Sequence, residues 1–245
     1  MVWRLWVSRS VPDQEECDMK IYMIRHGQTE WNRLYRFQGQ TDIELNENGR
    51  ELASRVGRGM ADIPFTRVIS SPLKRASETA RLVLEAAGKD LEIATDPRLM
   101  EIGFGIYEGY STVNPDYPHP APEFCYFFKN PEKYQAPEGG ENFQQLIDRT
   151  GIFLSDLAAK TEWEQDVILL SVHGAALKAL LANIKEDFDI AHFWGEGVPG
   201  NCSVSIAETE EGHWHLLAQD VMFDEEHGEC PSFIELKRGV SVQTE

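Results

Sequence analysis

The sequence predicts an α/β protein, a three-layer α/β/α sandwich in which helices cover both faces of a mostly parallel central sheet. Several short segments have an apolar run at their centre, among them Lys20–Ile24 (KIYMI), Arg67–Ser70 (RVIS) and Asp166–Val172 (DVILLSV). Segments with helical periodicity lie between them, and this alternation is typical of a parallel sheet covered on both faces. In such folds the ligand site lies beyond the carboxyl ends of the strands.

The predicted elements follow one another along the chain. Lys20–Ile24 is the first strand, and Leu45–Met60 is a helix with Asn46 as its capping residue. Arg67–Ser70 is the second strand, and Ser71-Pro72 ends it. The remaining predictions are a helix over Leu73–Ala87 ended by Gly88, a strand over Leu91–Thr95, a helix over Phe143–Lys160, a strand over Asp166–Val172 with a helix after it, and a final strand pair over Ser203–Ala207 and His213–Ala218.

The chain is expected to contain one catalytic domain. Its 245 residues suit one α/β domain, which we place at residues 19–245, after an N-terminal extension over residues 1–18. The extension has neither the apolar region nor the cleavage site of a signal peptide. Residues 111–142 contain six prolines with aromatic residues between them. Because long loops in compact domains are often lids, we expect this excursion to cover part of a site.

The charge and composition of the chain argue against some classes of binding partner. The net charge of −18 argues against nucleic acid and anionic membranes, and no segment approaches the roughly 18 apolar residues of a membrane helix. The four cysteines, Cys17, Cys125, Cys202 and Cys230, have neither paired nor zinc-ligand spacing. We therefore expect free thiols, a cytoplasmic location, and no metal or cofactor. Oligomeric state stays open, and a homodimer is compatible with the sequence.

The tripeptide Arg25-His26-Gly27 follows the first predicted strand. A neutral histidine can act as a nucleophile and form a covalent intermediate, and an arginine fork matches phosphate oxygens. Glycine lets the backbone approach a ligand closely. The tripeptide alone is a weak signal, because loop histidines are usually structural. Residues further along the chain strengthen it.

Three further polar residues are candidates for binding a phosphate group. Asn32 lies six residues after His26, where its amide can donate to a phosphate oxygen, and Arg75 lies in the first turn of a helix, where anions are favoured. His173 follows a buried strand. The alternatives are a surface Arg75 paired with Glu78 or Glu85, and a hydrogen-bonded interior His173.

Glu101 is the candidate general acid. It lies among apolar neighbours in the segment RLMEIGFG, and a carboxyl group in an apolar setting resists ionisation. Such a group suits proton donation near neutral pH. The alternative is a structural carboxylate paired with Arg98 or another basic residue.

Five segments together resemble the histidine phosphatase superfamily, the phosphoglycerate-mutase-like group. They are IYMIRHGQTEWN, FQGQTDIELNENG, SSPLKRASETA, RLMEIGFGIYEG and LLSVHGAALKALL, in family order, with a compatible ending in NCSVSI. The resemblance spans residues 20 to about 182 and implies a phosphoglycerate-mutase-like fold. It also implies phosphoryl transfer without a metal.

The resemblance implies a role for each matching residue. His26 would be the phosphorylated nucleophile, and Glu101 would protonate the leaving oxygen and then activate water. Arg25, Arg75 and His173 would bind the phosphoryl oxygens and stabilise the transition state. The full set expected to bind substrate is Arg25, Gly27, Asn32, Gln38, Gly39, Arg75, His173 and Gly174.

The family contains both hydrolases and mutases. In cofactor-dependent mutases the segment around the acid resembles ERHYG with a following lysine and a later arginine pair. Here it reads EIGFGIYEGYS, no lysine lies between Arg98 and Lys129, and the chain has no Arg-Arg pair. The sequence therefore favours a phosphatase of small-molecule monoesters over a phosphoglycerate mutase. A catalytically dead phospho-ligand-binding module is disfavoured, because the nucleophile and the acid are both present.

Overall fold

A six-stranded sheet forms the centre of the computed structural model, which describes residues 19–185 and 188–224. The predicted extension, residues 1–18, lies outside the described residues. The strands, in chain order, are β1 (Lys20–Arg25), β2 (Arg67–Ser70), β3 (Ile93–Thr95), β4 (Val167–Val172), β5 (Val204–Glu210) and β6 (His213–Val221). Their order across the sheet is β3-β2-β4-β1-β5-β6.

The sheet is mostly parallel, as predicted. β3, β2, β4 and β1 pair in parallel, whereas β5 is antiparallel to both of its neighbours, β1 and β6. The register brings the carboxyl ends of three strands level, since Arg25 pairs with Val172 and Ser70 pairs with Ser171. The residues that follow these strands therefore meet at one edge of the sheet.

Helices cover both faces of the sheet and complete the predicted three-layer sandwich. The helices are α1 (Glu30–Arg33), α2 (Glu47–Gly59), α3 (Lys74–Ala86), α4 (Tyr126–Lys129), α5 (Phe143–Ala158) and α6 (Gly174–Ile184). Side chains alternate across a strand, so β1 supplies both cores. Tyr22 and Ile24 pack in the core that contains residues of α2 and α3, and Ile21 and Met23 pack in the core that contains residues of α5 and α6.

The predicted elements are all present, and none of their ends differs from the prediction by more than three residues. Asn46 caps α2 as expected, because its side chain accepts a hydrogen bond from the backbone N–H of Gly49. The third strand begins at Ile93 rather than Leu91. Helix α1 was not predicted; a capping box between Thr29 and Asn32 stabilises this single turn. Within the described ranges, no helix is both long and apolar enough to cross a membrane.

The proline-rich excursion packs on a third, aromatic core. It contains α4 and two short 3₁₀ turns, Pro122–Cys125 and Pro131–Lys133. Phe124, Phe127 and Tyr134 are buried against aromatic residues from other segments, including Phe37, Phe104, Phe143 and Trp194. The excursion is thus anchored by its own rings beside the edge of the sheet where the candidate residues meet.

Candidate active site

His26 directly follows β1 and is buried, with 2 % of its surface exposed. Its backbone N–H donates to the carbonyl oxygen of Val172 in β4 (2.9 Å), and its own carbonyl accepts from Nδ2 of Asn201 (2.9 Å). Its Nδ1 lies 2.7 Å from the carbonyl oxygen of Gly27. A carbonyl oxygen only accepts, so Nδ1 carries the proton and Nε2 keeps its lone pair. The ring is therefore oriented with Nε2 as the nucleophilic atom.

The surroundings of His26 keep the imidazole neutral. Burial lowers its pKa well below the usual value, and the positive charges of Arg75 and Arg25 lower it further. A protonated imidazole has no lone pair to donate. The site therefore holds this histidine in its nucleophilic form throughout the neutral range.

Two arginines flank the histidine. Arg75, fully buried in the first turn of α3, donates from Nη1 to the carbonyl of Thr41 (2.9 Å) and from Nη2 to that of Gly39 (2.7 Å). Arg25 donates from Nη1 to the carbonyl of Pro199. The Nε atoms of both arginines are buried and have no partner among the described residues. Since buried donors are normally paired, these two atoms are suited to an anion.

Burial disfavours the charged form of both guanidinium groups. Burial lowers the pKa of Arg75 to about 10 and also lowers the pKa of Arg25. The negative charge of Glu101 partly offsets burial in both cases. Both groups remain cationic near neutral pH, and an added anion would relieve their incomplete compensation. The alternative in which Arg75 pairs with Glu78 or Glu85 is wrong, because those carboxylates pair with Arg50 and Arg81.

His173 lies beside His26, with 5.1 Å between the ring centroids. It is fully buried, and its Nε2 lies 2.7 Å from Oγ of Ser71. Its Nδ1 is buried without a partner among the described residues. Burial, followed by the charge of Arg75, lowers the pKa of His173 well below its usual value. The residue is thus a hydrogen-bonded interior histidine that still has one ring nitrogen to offer a ligand.

Glu101 does not have the apolar setting expected for its carboxylate. Oε1 accepts hydrogen bonds from the backbone N–H groups of Ile102 (3.0 Å), Ala175 (3.1 Å) and Ala176 (3.0 Å). The last two belong to the first turn of α6, where the helix dipole favours negative charge. The suggested pairing with Arg98 is also wrong, since Arg98 binds Asp96 and Asp156. Helix α6 thereby fixes the carboxylate near His173, which caps the same helix.

Gly174 separates the arginine from the acid. A Cβ atom at this position would lie 3.6 Å from Nε of Arg25, 3.6 Å from Oε2 of Glu101 and 3.2 Å from Val198. A larger side chain would fill the space between the guanidinium and the carboxylate. The glycine therefore keeps open the place where both groups can reach one ligand.

Asn32, Gln38 and Gly39 also line the site. Oδ1 of Asn32 accepts from Thr29 in the capping box, so the amide N–H₂ group is left to donate elsewhere. Gln38 is buried, and its Oε1 has no partner among the described residues. Gly39 adopts φ +52° and presents its carbonyl to Arg75. These residues line the same cavity as His26.

Gly27 lies next to His26 but faces the protein interior. Its N–H donates to Oγ1 of Thr79 (3.0 Å), and a Cβ atom would lie 2.6 Å from the carbonyl oxygen of Gly49. The missing side chain thus allows α2 to approach β1. This glycine holds the acceptor for His26 in place and is not among the cavity-lining residues.

Sequence reasoning missed several supporting residues. Glu108 accepts from the N–H of Gln40 (2.8 Å) and from Oγ1 of Thr41, and so fixes the loop that binds Arg75. Arg149, paired with Glu141, donates from Nη2 to the carbonyl of Glu101 (3.1 Å). The spacing of these residues in the sequence does not indicate their supporting roles, because their partners are distant in the chain.

One cavity of about 590 Å³ unites the site. Its reactive end contains Arg25, His26, Asn32, Arg75, Glu101 and Gly174. The other end is lined mainly by aromatic and aliphatic side chains, including Phe127 and Phe128 of the excursion. The arrangement joins a neutral nucleophile, two cationic guanidinium groups and a carboxylate, which together can transfer a phosphoryl group. Among residues 19–185 and 188–224, no cluster of three His, Cys, Asp or Glu side chains is placed to hold a metal ion.

Comparison with known families agrees with the motif order. The family described as histidine phosphatase superfamily (branch 1) matches residues 21–221. The chain is similar to phosphoserine phosphatase 1 of Hydrogenobacter thermophilus, with 31 % identity over 195 residues, covering 79 % of this chain and 88 % of that protein. It is also similar to probable phosphoglycerate mutase GpmB of Salmonella choleraesuis, with 29 % identity over 231 residues, covering 90 % of this chain and 100 % of that protein.

A solved structure supports the same relationship. The vanadate complex of a mycobacterial glucosyl-3-phosphoglycerate phosphatase superposes with a TM-score of 0.69 at 30 % identity. The match covers 80 % of this chain and 96 % of that chain. These similarities cover 79–90 % of this chain and 88–100 % of the other proteins.

Proposed function

The chain belongs to the histidine phosphatase superfamily, and from that premise we propose that it is a metal-independent phosphatase of small-molecule phosphate monoesters. One observation carries the proposal. His26 is kept neutral with Nε2 free, between two arginines whose buried Nε atoms lack partners among the described residues. A phosphate group satisfies those donors and places phosphorus within reach of Nε2.

In the first step the lone pair of Nε2 attacks phosphorus, and the bond between phosphorus and the ester oxygen breaks. Glu101 gives its proton to the leaving oxygen, so an alcohol departs rather than an alkoxide. The backbone N–H groups of Ala175 and Ala176 hold the carboxyl group in position for this transfer.

In the second step water attacks the phosphohistidine. Glu101, now ionised, accepts a proton from the water, and the bond between phosphorus and Nε2 breaks with its electrons returning to the ring. Inorganic phosphate is released. Arg25 and Arg75 neutralise the charge on the phosphoryl oxygens in both steps, the part that a divalent cation has in other phosphoryl-transfer enzymes, and Nδ1 of His173 is available to form a hydrogen bond with them.

Phosphoglycerate mutase activity is the second candidate. The observation in its favour is the similarity to GpmB, which extends over the full length of that protein. A mutase must hold a carboxylate and keep water from the phosphohistidine. The segment after Glu101 lacks the lysine and arginine pair expected of cofactor-dependent mutases, and this favours hydrolysis.

One set of assays separates these activities. Release of inorganic phosphate from several esters is measured with and without EDTA, beside the interconversion of 3- and 2-phosphoglycerate. We expect EDTA-resistant phosphate release, an acid-labile phosphoenzyme, and a loss of several orders of magnitude in His26→Ala. The surface variant His213→Ala is the matched control. Metal-dependent activity, a label on serine or aspartate, or mutase turnover faster than phosphate release would contradict the proposal.

A cytoplasmic location is part of the proposal. Cys125 and Cys202 are free thiols in the described residues, and free thiols are typical of reducing compartments. Cys17 and Cys230 lie outside the described residues. Subcellular fractionation with an antibody against the chain tests the location directly.

A further inference from the structure

Exposed apolar side chains gather at the mouth of the active-site cavity. In the described part of the chain, six large hydrophobic side chains are strongly exposed, and four of them line this cavity. These are Tyr35 (69 %), Val113 (66 %), Phe128 (43 %) and Val198 (45 %). Single exposed apolar residues are ordinary, but a group around one opening indicates a surface that binds something apolar.

The wall behind this opening is made of packed aromatic rings. Phe37, Phe104, Phe127 and Trp194 are buried and line the cavity. Their rings contact one another, with centroid distances of 5.1 Å for Phe37–Phe104 and 5.2 Å for Phe127–Trp194. The indole N–H of Trp194 already donates to the carbonyl oxygen of Phe127 (2.6 Å). The surface that this wall offers to a ligand is therefore apolar.

Charge is scarce at this end of the cavity. Among the described residues that line the cavity, Arg36 is the one charged side chain outside the reactive end. The described lining contains no lysine, and its one carboxylate is that of Glu101. Its guanidinium lies over the ring of Trp31 (4.0 Å) and that of Tyr117 (4.3 Å), and its Nε donates to the carbonyl of Gly109 (2.8 Å). An ammonium group on a substrate would find no acidic partner there.

We propose that the substrates are phosphate monoesters whose alcohol carries a large apolar alkyl or aryl group. This group occupies the aromatic compartment, the part of the cavity lined by Phe37, Phe104, Phe127 and Trp194. The inference rests on the proposed phosphatase activity and specifies its substrate class. The cavity volume of about 590 Å³ leaves room for such a group beside the phosphate. Cavities of roughly 300–1,000 Å³ typically hold ligands of this size. The aromatic compartment and the arginines belong to one cavity. A single substrate molecule can therefore place its phosphate at the arginines and its apolar group in the compartment.

A series of straight-chain alkyl phosphates tests the proposal. Ethyl, butyl, hexyl and octyl phosphate have alcohols of nearly equal basicity, so differences in kcat/KM report contact with the apolar part. We expect kcat/KM to rise by about four-fold per added methylene until the compartment is filled, which corresponds to ~0.8 kcal/mol for each methylene. Phosphoserine and 3-phosphoglycerate should rank below butyl phosphate. A flat or falling series, or a preference for either polar ester, overturns the proposal.

Two mouth variants connect the preference to this surface. In Val113→Asn and Phe128→Asn the ratio of kcat/KM for hexyl to ethyl phosphate should fall about ten-fold, because a polar group replaces an apolar contact. Ile152→Asn is the matched control, since the exposure of Ile152 (57 %) lies between those of Phe128 and Val113, but it is on α5 and does not line the cavity. An equal fall in the control, or no fall in either mouth variant, overturns the assignment.

The same assays distinguish the two levels of the argument. Phosphate release that depends on His26 but shows no chain-length preference rejects the apolar substrate class alone. Absence of phosphate release from every ester, or release that persists in His26→Ala, rejects the proposed phosphatase and the substrate class with it.

Discussion

Nδ1 of His26 lies 2.7 Å from the carbonyl oxygen of Gly27, and this contact sets the direction in which the imidazole reacts. The acceptor is itself fixed, because the N–H of Gly27 donates to Thr79 of α3 and its Cα packs against Gly49 of α2. Two helices thus determine which ring nitrogen of a residue at the end of β1 keeps its lone pair. The orientation of the nucleophile is a consequence of packing on one face of the sheet.

Gly27→Ala tests this dependence on packing. The new Cβ would lie 2.6 Å from the backbone oxygen of Gly49, so the backbone must shift. Overpacking of this kind typically costs about 1–3 kcal/mol, and we expect that loss in the free energy of unfolding together with a fall in kcat. Urea denaturation and steady-state kinetics measure the two effects.

Gly103→Ala is the control for that substitution. Its new Cβ would have only ordinary contacts, the nearest at 3.7 Å, and Gly103 has no positive φ. Stability and kcat should therefore change little. If Gly27→Ala is as stable and as active as Gly103→Ala, the close approach of α2 does not orient His26.

The stability of the protein should decline from neutral pH toward acid because two histidines are buried in neutral form. Burial lowers the pKa of both His26 and His173 in the folded protein, so below pH ~6.5 the unfolded chain binds protons that the folded chain does not. Stability is complete above that pH and is lost as pH falls toward the lowered values. Each histidine contributes at most about 1.4 kcal/mol per pH unit.

Urea midpoints at pH 7.5, 6.5 and 5.5 measure this loss. His173→Gln removes one of the two groups, so its free energy of unfolding should depend less steeply on pH below 6.5. His213→Gln, which removes an exposed histidine of β6, serves as the matched control. Parallel pH profiles for the natural protein and His173→Gln would contradict the prediction.

The fold and the candidate residues were accessible from the sequence because their signals are local. The apolar run Asp166–Val172 indicates a buried strand, and the motif order places His26, Arg75 and His173 after strands whose carboxyl ends share one edge of the sheet. Burial of strands on both faces and the common direction of parallel strands then bring these residues together. The short helix Glu30–Arg33 escaped prediction because it depends on one capping box rather than on a periodic pattern.

The contacts that tune the site depend on residues distant in sequence. Arg25 donates to Pro199, and Ala175 and Ala176 donate to Glu101, across 174, 74 and 75 positions of the chain. The apolar neighbours of Glu101 in the sequence suggested an apolar setting for its carboxylate. Those apolar residues adjoin Glu101 along the backbone, whereas the packing of α6 determines which groups surround its carboxylate. Local composition carries no information about that docking.

Glu108→Gln should weaken phosphate binding, although Glu108 lies outside the set of groups that reach phosphate. Its carboxylate accepts from the N–H of Gln40 and from Thr41, and the carbonyls of Gly39 and Thr41 in turn hold Arg75. A glutamine keeps one acceptor oxygen and directs an N–H₂ group at a donor. Losing a hydrogen bond to a charged group costs about 1.5–3 kcal/mol, so we expect inhibition by vanadate to weaken roughly 10- to 100-fold.

Glu92→Gln, on the exposed side of the protein before β3, is the control for charge loss. A positioning role predicts a rise in KM and in the vanadate inhibition constant with a smaller change in kcat. If Glu108→Gln lowers only the free energy of unfolding and leaves vanadate inhibition unchanged, the loop does not position Arg75.

Glu101→Gln separates proton transfer from structural support. A glutamine can still accept one backbone hydrogen bond at the first turn of α6, but it has no proton to give to the leaving oxygen. General acid catalysis is typically worth about 10²–10⁴-fold, and we expect a loss of that order with an alkyl phosphate. With p-nitrophenyl phosphate the leaving group is a stable anion that needs little protonation, so formation of the phosphohistidine should be affected much less. The second step still requires the carboxylate as base, so phosphoenzyme should accumulate and be visible by rapid acid quenching. Equal losses on both substrates, accompanied by a lower melting temperature, would instead assign Glu101 to the stability of α6 and place the acid elsewhere.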